Sequence, residues 1–289
     1  MPKPLPGGNL KLADDLTVSR VGYGAMQLAG PEVWGPPKDL KEAIAVLREA
    51  VDLGITHIDT SDYYGPYIVN QLIREALHPY PDHLHIATKV GARRDPDKSW
   101  PRALSRHELI TAVHENLERL GVDALDVVNL RVGGLAEPTP GSIAEPFTVL
   151  AELQQQQGLI RHLGVSVVSP EQLTEAQSIA PVVCVQNFYN LANRADDALV
   201  DRCAREGIGY TPFFPLGGFQ PMQSEVLDRV AARLHATPFQ IALAWLLQRS
   251  PTMLLIPGTS SLAHLRQNVE GAGIELPRDA LEELNSIAA

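Results

Sequence analysis

The chain has 289 residues, of which 45% are hydrophobic and 20% are charged. These fractions are ordinary for a globular protein, so they exclude a disordered chain and allow a sizeable core. Lys and Arg number 24 against 34 Asp and Glu, which makes the formal net charge −10. A surface of this charge repels nucleic acid and anionic membranes, so we expect neither as a partner.

The cysteines and the apolar runs indicate whether the protein binds a metal and where in the cell it is located. Only Cys184 and Cys203 are present, without a CxxC pair or a metal-ligand spacing, so we expect two plain thiols and no metal site. The start of the chain lacks a signal-peptide pattern, and no apolar run approaches the ~18 residues of a membrane span. We therefore expect a cytoplasmic protein that is a monomer or a weak homo-oligomer.

Short apolar runs alternate with segments of helical periodicity from residue 20 onward. Apolar runs separated by helices are typical of a parallel sheet that is buried on both faces. Eight such runs can close on themselves, so the pattern predicts a single-domain (β/α)8 TIM barrel over residues 1–289. The runs occupy residues 21–26, 56–60, 84–90, 125–132, 162–167, 182–187, 208–214 and 253–258.

Helix signals lie between the runs. Ser105 followed by Glu108 forms a capping box, Thr237 precedes a proline, and Gly121 follows a helix end. No GxGxxG motif joins a first strand to a helix, which argues against a Rossmann fold. The periodicity predicts helices over residues 40–53, 107–120, 143–156, 170–178 and 195–205.

Reactive groups in an α/β barrel gather at the carboxyl ends of the strands. Asp59 ends the second run, Tyr64 follows five residues later, and Lys89 lies near the end of the third run. An ammonium beside a tyrosine lowers the tyrosine pKa towards the working range, and a buried lysine needs a counter-ion. These residues are predicted to act as one unit, although Asp59 and Lys89 alone would also suit a structural ion pair.

Five motifs in order resemble the aldo-keto reductase family. They are HIDTxxxYG from His57, a Thr-Lys strand ending near Lys89, GVS, VQN and a late IPGTSS. The strings GYGAMQLAGP, GARR and NLRV resemble a bacterial pyridoxal reductase-like branch of the family. The resemblance implies a barrel that binds NADPH or NADP+ and transfers hydride to a small-molecule carbonyl substrate. It also implies that Tyr64 protonates the oxygen with help from Asp59 and Lys89.

The resemblance implies one group of residues around the nicotinamide. Their roles are to approach the ring with backbone, to bind the carboxamide, and to stack an aromatic ring beneath it. Taken alone, Phe213 would be interpreted as a core residue, and only its position in the motif implies stacking. The group consists of Gly24, Ala25, Met26, Asp59, Ser166, Gln186, Phe213 and Leu216.

A second group follows the eighth run at the start of a helix, where N–H groups and hydroxyls can bind phosphate. Side chains on this helix are implied to hold the adenosine 2′-phosphate and the adenine, although Arg266 could instead be a solvated helix residue. The group consists of Gly258, Thr259, Ser260, Ser261, His264, Arg266 and Asn268.

The sequence departs from the family at three positions. Arg131 ends the fourth run, where the family has a histidine, while Val167 and Gly258 replace an asparagine and a lysine. As a permanent cation, Arg131 is expected to lower the Tyr64 pKa and to favour electron-rich or anionic carbonyl substrates. It could instead sit in a structural ion pair. Losing the polar contacts at the other two positions is expected to weaken cofactor affinity or the preference for NADPH.

Aromatic side chains are expected around the substrate. Trp34 and Trp100 lie in loops that should overhang the mouth, where they could clasp an aromatic substrate or pack on a helix. Tyr63 is expected to pack or to line the rim. The specificity loops 28–38, 92–104, 133–142 and 217–223 match no motif.

These observations favour an NADPH-dependent reductase that converts an aldehyde or ketone to an alcohol, with pyridoxal as the candidate substrate. One alternative is an NADP(H)-binding redox sensor that regulates a partner with little turnover. Another is dehydration or imine reduction on the same barrel, for which the missing histidine would not be needed.

Overall fold

The computed structural model describes residues 5–215 and 224–288. Within these ranges seven parallel strands form one sheet in chain order, and no helix is long and apolar enough to cross a membrane. An antiparallel hairpin of β1 (Asn9–Ala13) and β2 (Leu16–Ser19) precedes the sheet. The sheet strands are β3 (Tyr23–Gly24), β4 (His57–Asp59), β5 (His85–Val90), β6 (Leu125–Arg131), β7 (Ile160–Ser166), β8 (Val182–Phe188) and β9 (Gly209–Phe213).

The eighth apolar run closes the sheet into a barrel. Leu255 pairs in parallel with Val21 beside β3, and Met253 pairs with Tyr210 in β9. The N–H of Gly22 donates to the Leu255 carbonyl at 2.7 Å. The predicted eight-membered barrel is therefore confirmed, although the last run joins it through isolated bridges and not through a full strand.

The helices surround the barrel and bury their apolar faces against it, as α1 does with Val46 and Leu47. The five predicted helices form within two residues of their predicted ends, and the capping box at Ser105 is present. The helices are α1 (Leu40–Asp52), α2 (Ile68–Leu77), α3 (Arg106–Leu120), α4 (Ala144–Gln155), α5 (Pro170–Gln177), α6 (Asp197–Glu206), α7 (Glu225–Arg233), α8 (Pro238–Arg249), α9 (Leu262–Gly271) and α10 (Arg278–Asn285).

The β1–β2 hairpin was not predicted, because the predicted alternation of strands and helices starts only at residue 20. Leu16 and Val18 of the hairpin pack against Val127, Val183 and Leu254, which lie near the amino ends of their strands or run. The hairpin therefore covers the barrel at the end opposite the mouth where the functional groups gather.

Arg20 ties the closing run to the rest of the barrel. Its Nη2 donates to the carbonyls of Leu247 and Ser250 at 2.6 Å each, and its Nε donates to the Met253 carbonyl at 3.2 Å. These carbonyls lie at the end of α8 and the start of the closing run. The Arg20 side chain thus donates hydrogen bonds to three backbone carbonyls at the point where the barrel closes.

We expect Arg20→Met to lower the free energy of unfolding by about 2–4 kcal/mol, because several carbonyls lose a charged donor. Guanidinium chloride unfolding would measure this change. Arg48→Met is the control, since the Nε of Arg48 donates to the Ala76 carbonyl at 3.1 Å on the exposed surface. Equal effects of the two substitutions would contradict the role assigned to Arg20.

Candidate active site

A cavity of about 430 Å³ opens at the carboxyl ends of the barrel strands, where α/β barrels hold their active sites. Many of the predicted site residues line it although they lie far apart along the chain. They are Gly24, Met26, Asp59, Tyr63, Tyr64, Lys89, Trp100, Arg131, Gln186, Phe213 and Gly258.

A buried ion pair lies at the base of this cavity. Lys89 Nζ is 2.6 Å from Asp59 Oδ1 and donates a second hydrogen bond to the Thr60 carbonyl at 2.9 Å. Gln186 Nε2 donates to the other oxygen of Asp59 at 2.7 Å. The Lys89 and Asp59 side chains are only 3% and 6% exposed, so each charge depends on these partners in place of water.

Tyr64 lies beside this pair, with its ring centroid 5.2 Å from Lys89 Nζ. Burial and the negative charge of Asp59 raise the pKa of Tyr64 above its ordinary value, and Arg131 lowers it only in part. Arg131 therefore lowers the pKa of Tyr64 as expected, but the net pKa lies above the ordinary value and not nearer the working range. Burial has a larger effect on the pKa than the positive charge of Arg131, because a phenolate at this position would lose its hydration. Tyr64 is thus a neutral phenol at neutral pH and has a proton to donate.

Arg131 ends β6 with its guanidinium at the cavity. Its Nη2 donates to the carbonyls of Gly134 and Leu135 at 2.7 and 3.0 Å, and Nη1 lies 3.5 Å from Ser166 Oγ. Within residues 5–215 and 224–288 no carboxylate pairs with it, so the alternative of a structural ion pair finds no support there. The charge remains available to a ligand.

An aromatic platform forms one wall. Phe213 stacks on Phe188 with ring centroids 5.9 Å apart, and the guanidinium carbon of Arg131 lies 5.8 Å from the Phe213 centroid. Ser166, implied to bind a carboxamide, is wholly buried beneath Arg131. The Gln186 amide nitrogen, implied for the same task, already donates to Asp59.

Two glycines bring backbone together at the floor. A Cβ on Gly24 would lie 2.3 Å from the Ile256 carbonyl oxygen, and a Cβ on Gly258 would lie 2.6 Å from the Gly24 oxygen. Neither position has room for a side chain unless the backbone moves. This close approach accounts for Gly258 where the resemblance led us to expect a lysine, and it leaves backbone exposed to a ligand.

Hydrogen bonds at Thr259 hold the segment before α9 in place. Thr259 is buried, its carbonyl accepts a hydrogen bond from the Tyr23 hydroxyl at 2.6 Å, and its Oγ1 accepts one from the Ser261 N–H at 3.1 Å. Arg266 Nε pairs with Glu49 at 2.8 Å, so this guanidinium would have to leave Glu49 to hold a phosphate.

The other predicted cofactor residues differ in exposure. Ser260 and His264 are exposed, whereas Ala25 and Asn268 are buried. Leu216 and the loop 217–223 lie outside the described residues.

The two tryptophans differ from the expectation. Trp100 lines the cavity, but Trp34 does not. Both rings lie against the guanidinium of Arg94, with its carbon 3.9 Å from the Trp100 centroid and 5.6 Å from the Trp34 centroid. The two rings therefore flank an arginine, and of the two only Trp100 lines the cavity.

Several lining residues were missed because no motif assigns them a role, even where they lie within a matching string, as Gln27 and Ala92 do. Their only signal was their position after strand ends, and for Phe239 on α8 there was none. These residues include Gln27, Ala92, Arg102, Leu135, Phe214, Pro215 and Phe239.

A buried polar network supports the loop that carries Tyr64. Asn70 Nδ2 donates to Asn116 Oδ1 at 2.9 Å and to Asp62 Oδ1 at 3.2 Å, while Thr60 Oγ1 donates to Asn70 at 2.9 Å. Arg119 of α3 pairs with the second Asp62 oxygen. Burial raises the pKa of Asp62 from 3.8 to about 7, although Arg119 and Asn70 lower it. No motif in the sequence marks this network.

The comparisons with known proteins show the family of the chain. A model of the aldo/keto reductase family matches residues 20–289. A pyridoxine 4-dehydrogenase of Escherichia coli (strain K12) is 61% identical over 274 residues, which cover 94% of this chain and 96% of the relative. The chain therefore belongs to the aldo/keto reductase family and is an oxidoreductase, as predicted.

Solved structures support the same fold. A thermostable aldo-keto reductase in complex with the inhibitor epalrestat is 30% identical with a TM-score of 0.80, and the match covers 100% of both chains. An aldo/keto reductase from Klebsiella pneumoniae, solved in complex with NADP and acetate, is 23% identical with a TM-score of 0.78. That match covers 96% of this chain and 94% of the other.

Asp62→Asn tests the network through the pH dependence of stability. The raised pKa means that the folded state binds the Asp62 proton more tightly than the unfolded chain does. Its contribution is therefore full below about pH 4 and is lost as the pH rises through about 7. We expect the stability of the original protein relative to Asp62→Asn to fall by up to a few kcal/mol over this range. Chemical unfolding at several pH values measures it.

The exposed Asp82→Asn substitution is the control, and it should leave the pH dependence unchanged. A relative stability of Asp62→Asn that does not vary with pH would show that Asp62 titrates as an ordinary carboxyl group.

Proposed function

We propose that the protein is an NADP(H)-dependent carbonyl reductase that reduces pyridoxal to pyridoxine. The observation that carries this proposal is a neutral, buried Tyr64 that lines one cavity together with the Lys89–Asp59 ion pair and Arg131, which pairs with no carboxylate among the described residues. The 61% identity to a pyridoxine 4-dehydrogenase supports the choice of substrate.

The chain has features that fit the cofactor. The close backbone approach of Gly24 and Gly258 forms a floor without side chains, and Phe213 offers a flat ring for a nicotinamide to stack on. The amino end of α9 supplies N–H groups for phosphate. When bound, NADPH supplies the hydride that the carbonyl carbon accepts.

Tyr64 supplies the proton. As the carbonyl carbon is reduced, negative charge grows on the oxygen, and the neutral phenol of Tyr64 can donate its proton there to complete the alcohol. The phenolate that remains lies near the Lys89 ammonium, 5.2 Å from the ring centroid, until it regains a proton from water. Asp59 holds Lys89 in its charged form.

The charges around the cavity favour an anionic substrate. Asp59 is matched by Lys89, whereas Arg102 and Arg131 line the cavity without a carboxylate partner among the described residues. Pyridoxal carries a phenolate beside its aldehyde, so a guanidinium such as Arg131 can bind both the anion and the developing alkoxide. Aromatic walls from Phe213, Phe214 and Trp100 suit its flat ring.

The same proposal includes the cellular setting. Cys184 and Cys203 are buried free thiols, and burial raises the pKa of each to about 12, so both are unreactive. Free thiols and a net charge of −10 suit a cytoplasmic enzyme that works without nucleic acid. We propose one catalytic domain over residues 1–289, as a monomer or a weak homo-oligomer.

Tyr64→Phe removes the proton donor and is expected to lower kcat with pyridoxal by about 100-fold to 10,000-fold. The affinity for NADPH should stay within about twofold of that of the original protein, because the Tyr64 hydroxyl is proposed to contact the substrate carbonyl oxygen and not the cofactor. NADPH absorbance follows turnover, and fluorescence titration follows binding. Tyr63→Phe is the matched control and should retain most of the activity. NADPH binding by the original protein without turnover of any carbonyl would instead favour a redox sensor.

Arg131→Met is expected to raise the pH at which alcohol oxidation begins by about one unit, because Arg131 lowers the pKa of Tyr64 and oxidation requires the phenolate. The pH profile of kcat/KM for pyridoxine oxidation measures this shift. Arg131→Lys keeps the charge and should shift the profile less. Superimposable profiles for all three proteins would remove Arg131 from the mechanism.

A further inference from the structure

Arg94 lies between the two tryptophans in the loop that follows β5. It is only 9% exposed, with its guanidinium carbon 3.9 Å from the Trp100 centroid and 5.6 Å from the Trp34 centroid. A buried guanidinium usually pairs with a carboxylate, but in the described part of the chain none pairs with this one. Its neighbours are aromatic faces, which attract a cation through their quadrupoles.

The Arg94 guanidinium also links two loops. Its Nη1 donates to the Lys98 carbonyl of its own loop, and its Nη2 donates to the Glu32 carbonyl of the loop after β3 at 2.5 Å. An ion pair between the Lys98 and Glu32 side chains, at 2.8 Å, crosses the same gap. The Arg94 Nε has no hydrogen-bond partner in the described residues. The side chain is therefore held by the hydrogen bonds of Nη1 and Nη2 and by the two tryptophan rings.

The backbone at both acceptors is strained. Glu32 and Lys98 have φ values of 60° and 65°, and Val33 has 57°, in the left-handed region that residues other than glycine disfavour. Such conformations persist only where surrounding contacts impose them. The hydrogen bonds from Arg94 end on two of these residues, so they hold the loops in shapes that the chain would not adopt alone.

Trp100 transmits this arrangement to the cavity. It lines the cavity, and its ring meets Tyr63 edge-on at 5.5 Å, while Tyr63 meets Tyr64 edge-on at 5.4 Å. Trp100 is 39% exposed, so packing against the protein covers only part of it. Arg94 lies against the Trp100 ring but does not itself line the cavity.

From this geometry we infer that Arg94 is a positioning residue that determines specificity. It fixes Trp100 as a wall of the substrate cavity, and that wall gives flat aromatic carbonyl compounds their advantage over small aliphatic ones. The inference rests on the proposed carbonyl reduction. Arg94 is the last residue of the GARR string, to which the sequence alone assigned no functional role, and it now becomes a determinant of substrate choice.

Fluorine NMR with 5-fluorotryptophan tests the positioning without relying on activity. The chain has three tryptophans, and the third, Trp245, is buried beside Arg194 and serves as an internal reference. Arg94→Ala should shift or broaden the resonances of Trp34 and Trp100 and leave that of Trp245 unchanged. Arg93→Ala is the control, because Arg93 is exposed and paired with acidic residues, and it should move none of them. An unmoved Trp100 resonance in Arg94→Ala would overturn the inference.

Steady-state kinetics test the specificity. Arg94→Ala should raise KM for pyridoxal by about fivefold to tenfold, as expected for the loss of one stacked cation that positions the wall. KM for propanal, and kcat for both aldehydes, should stay within about twofold. Arg94→Lys keeps the charge without the planar fork, so it should recover only part of the loss.

A double substitution separates positioning from general damage. Trp100→Ala should raise KM for pyridoxal as Arg94→Ala does, and the double variant should be no worse than either single one. Additive effects, or equal losses with pyridoxal and propanal, would overturn the role of Arg94. If the original protein reduced neither aldehyde, the proposed function itself would fail and the substrate preference with it, even if the fluorine resonances moved as expected.

Discussion

The ion pair between Lys89 and Asp59 places two opposite charges in a site that water hardly reaches. Removing either partner would leave a buried charge uncompensated, which costs several kcal/mol, so the pair holds both strand ends in place. Gln186 on β8 and the Thr60 carbonyl satisfy the remaining oxygen and ammonium protons. The pair thus joins three strands of the barrel and sets the position of the cation beside Tyr64.

Burial gives Tyr64 a state that suits reduction. The same exclusion of water that makes the ion pair strong also penalises the phenolate, so the Tyr64 hydroxyl keeps its proton, as the proposed reduction requires. Arg131 opposes this effect and brings to the cavity a positive charge that no carboxylate in the described part of the chain matches, although the net charge of the chain is −10. The local charge at the cavity is therefore opposite in sign to the net charge of the chain.

Two sets of contacts connect the rigid barrel with the loops at its mouth. Behind Tyr64, the network through Asn70 and Asp62 fastens the loop to α2 and α3. Across the mouth, Arg94 connects the loops after β3 and β5 and supports Trp100. The barrel places the reacting groups, and these contacts determine how closely the loops define the space in front of them.

Apolar periodicity and helix caps act over a few residues, so the sequence alone was enough to predict the alternation of strands and helices, their approximate ends, the positions of Asp59 and Lys89 at strand ends and that of Tyr64 in the loop after Asp59. It did not reveal the β1–β2 hairpin, the backbone contact of Gly24 with Gly258, the Asp62–Arg119 pair or the place of Arg94 between Trp34 and Trp100. The hairpin is local in the chain but precedes residue 20, where the predicted alternation begins, whereas each of the other arrangements brings in residues that lie far apart in the sequence. The direction of the Tyr64 pKa shift was also decided only by the tertiary structure, because it depends on how completely the folded chain removes water from the phenol.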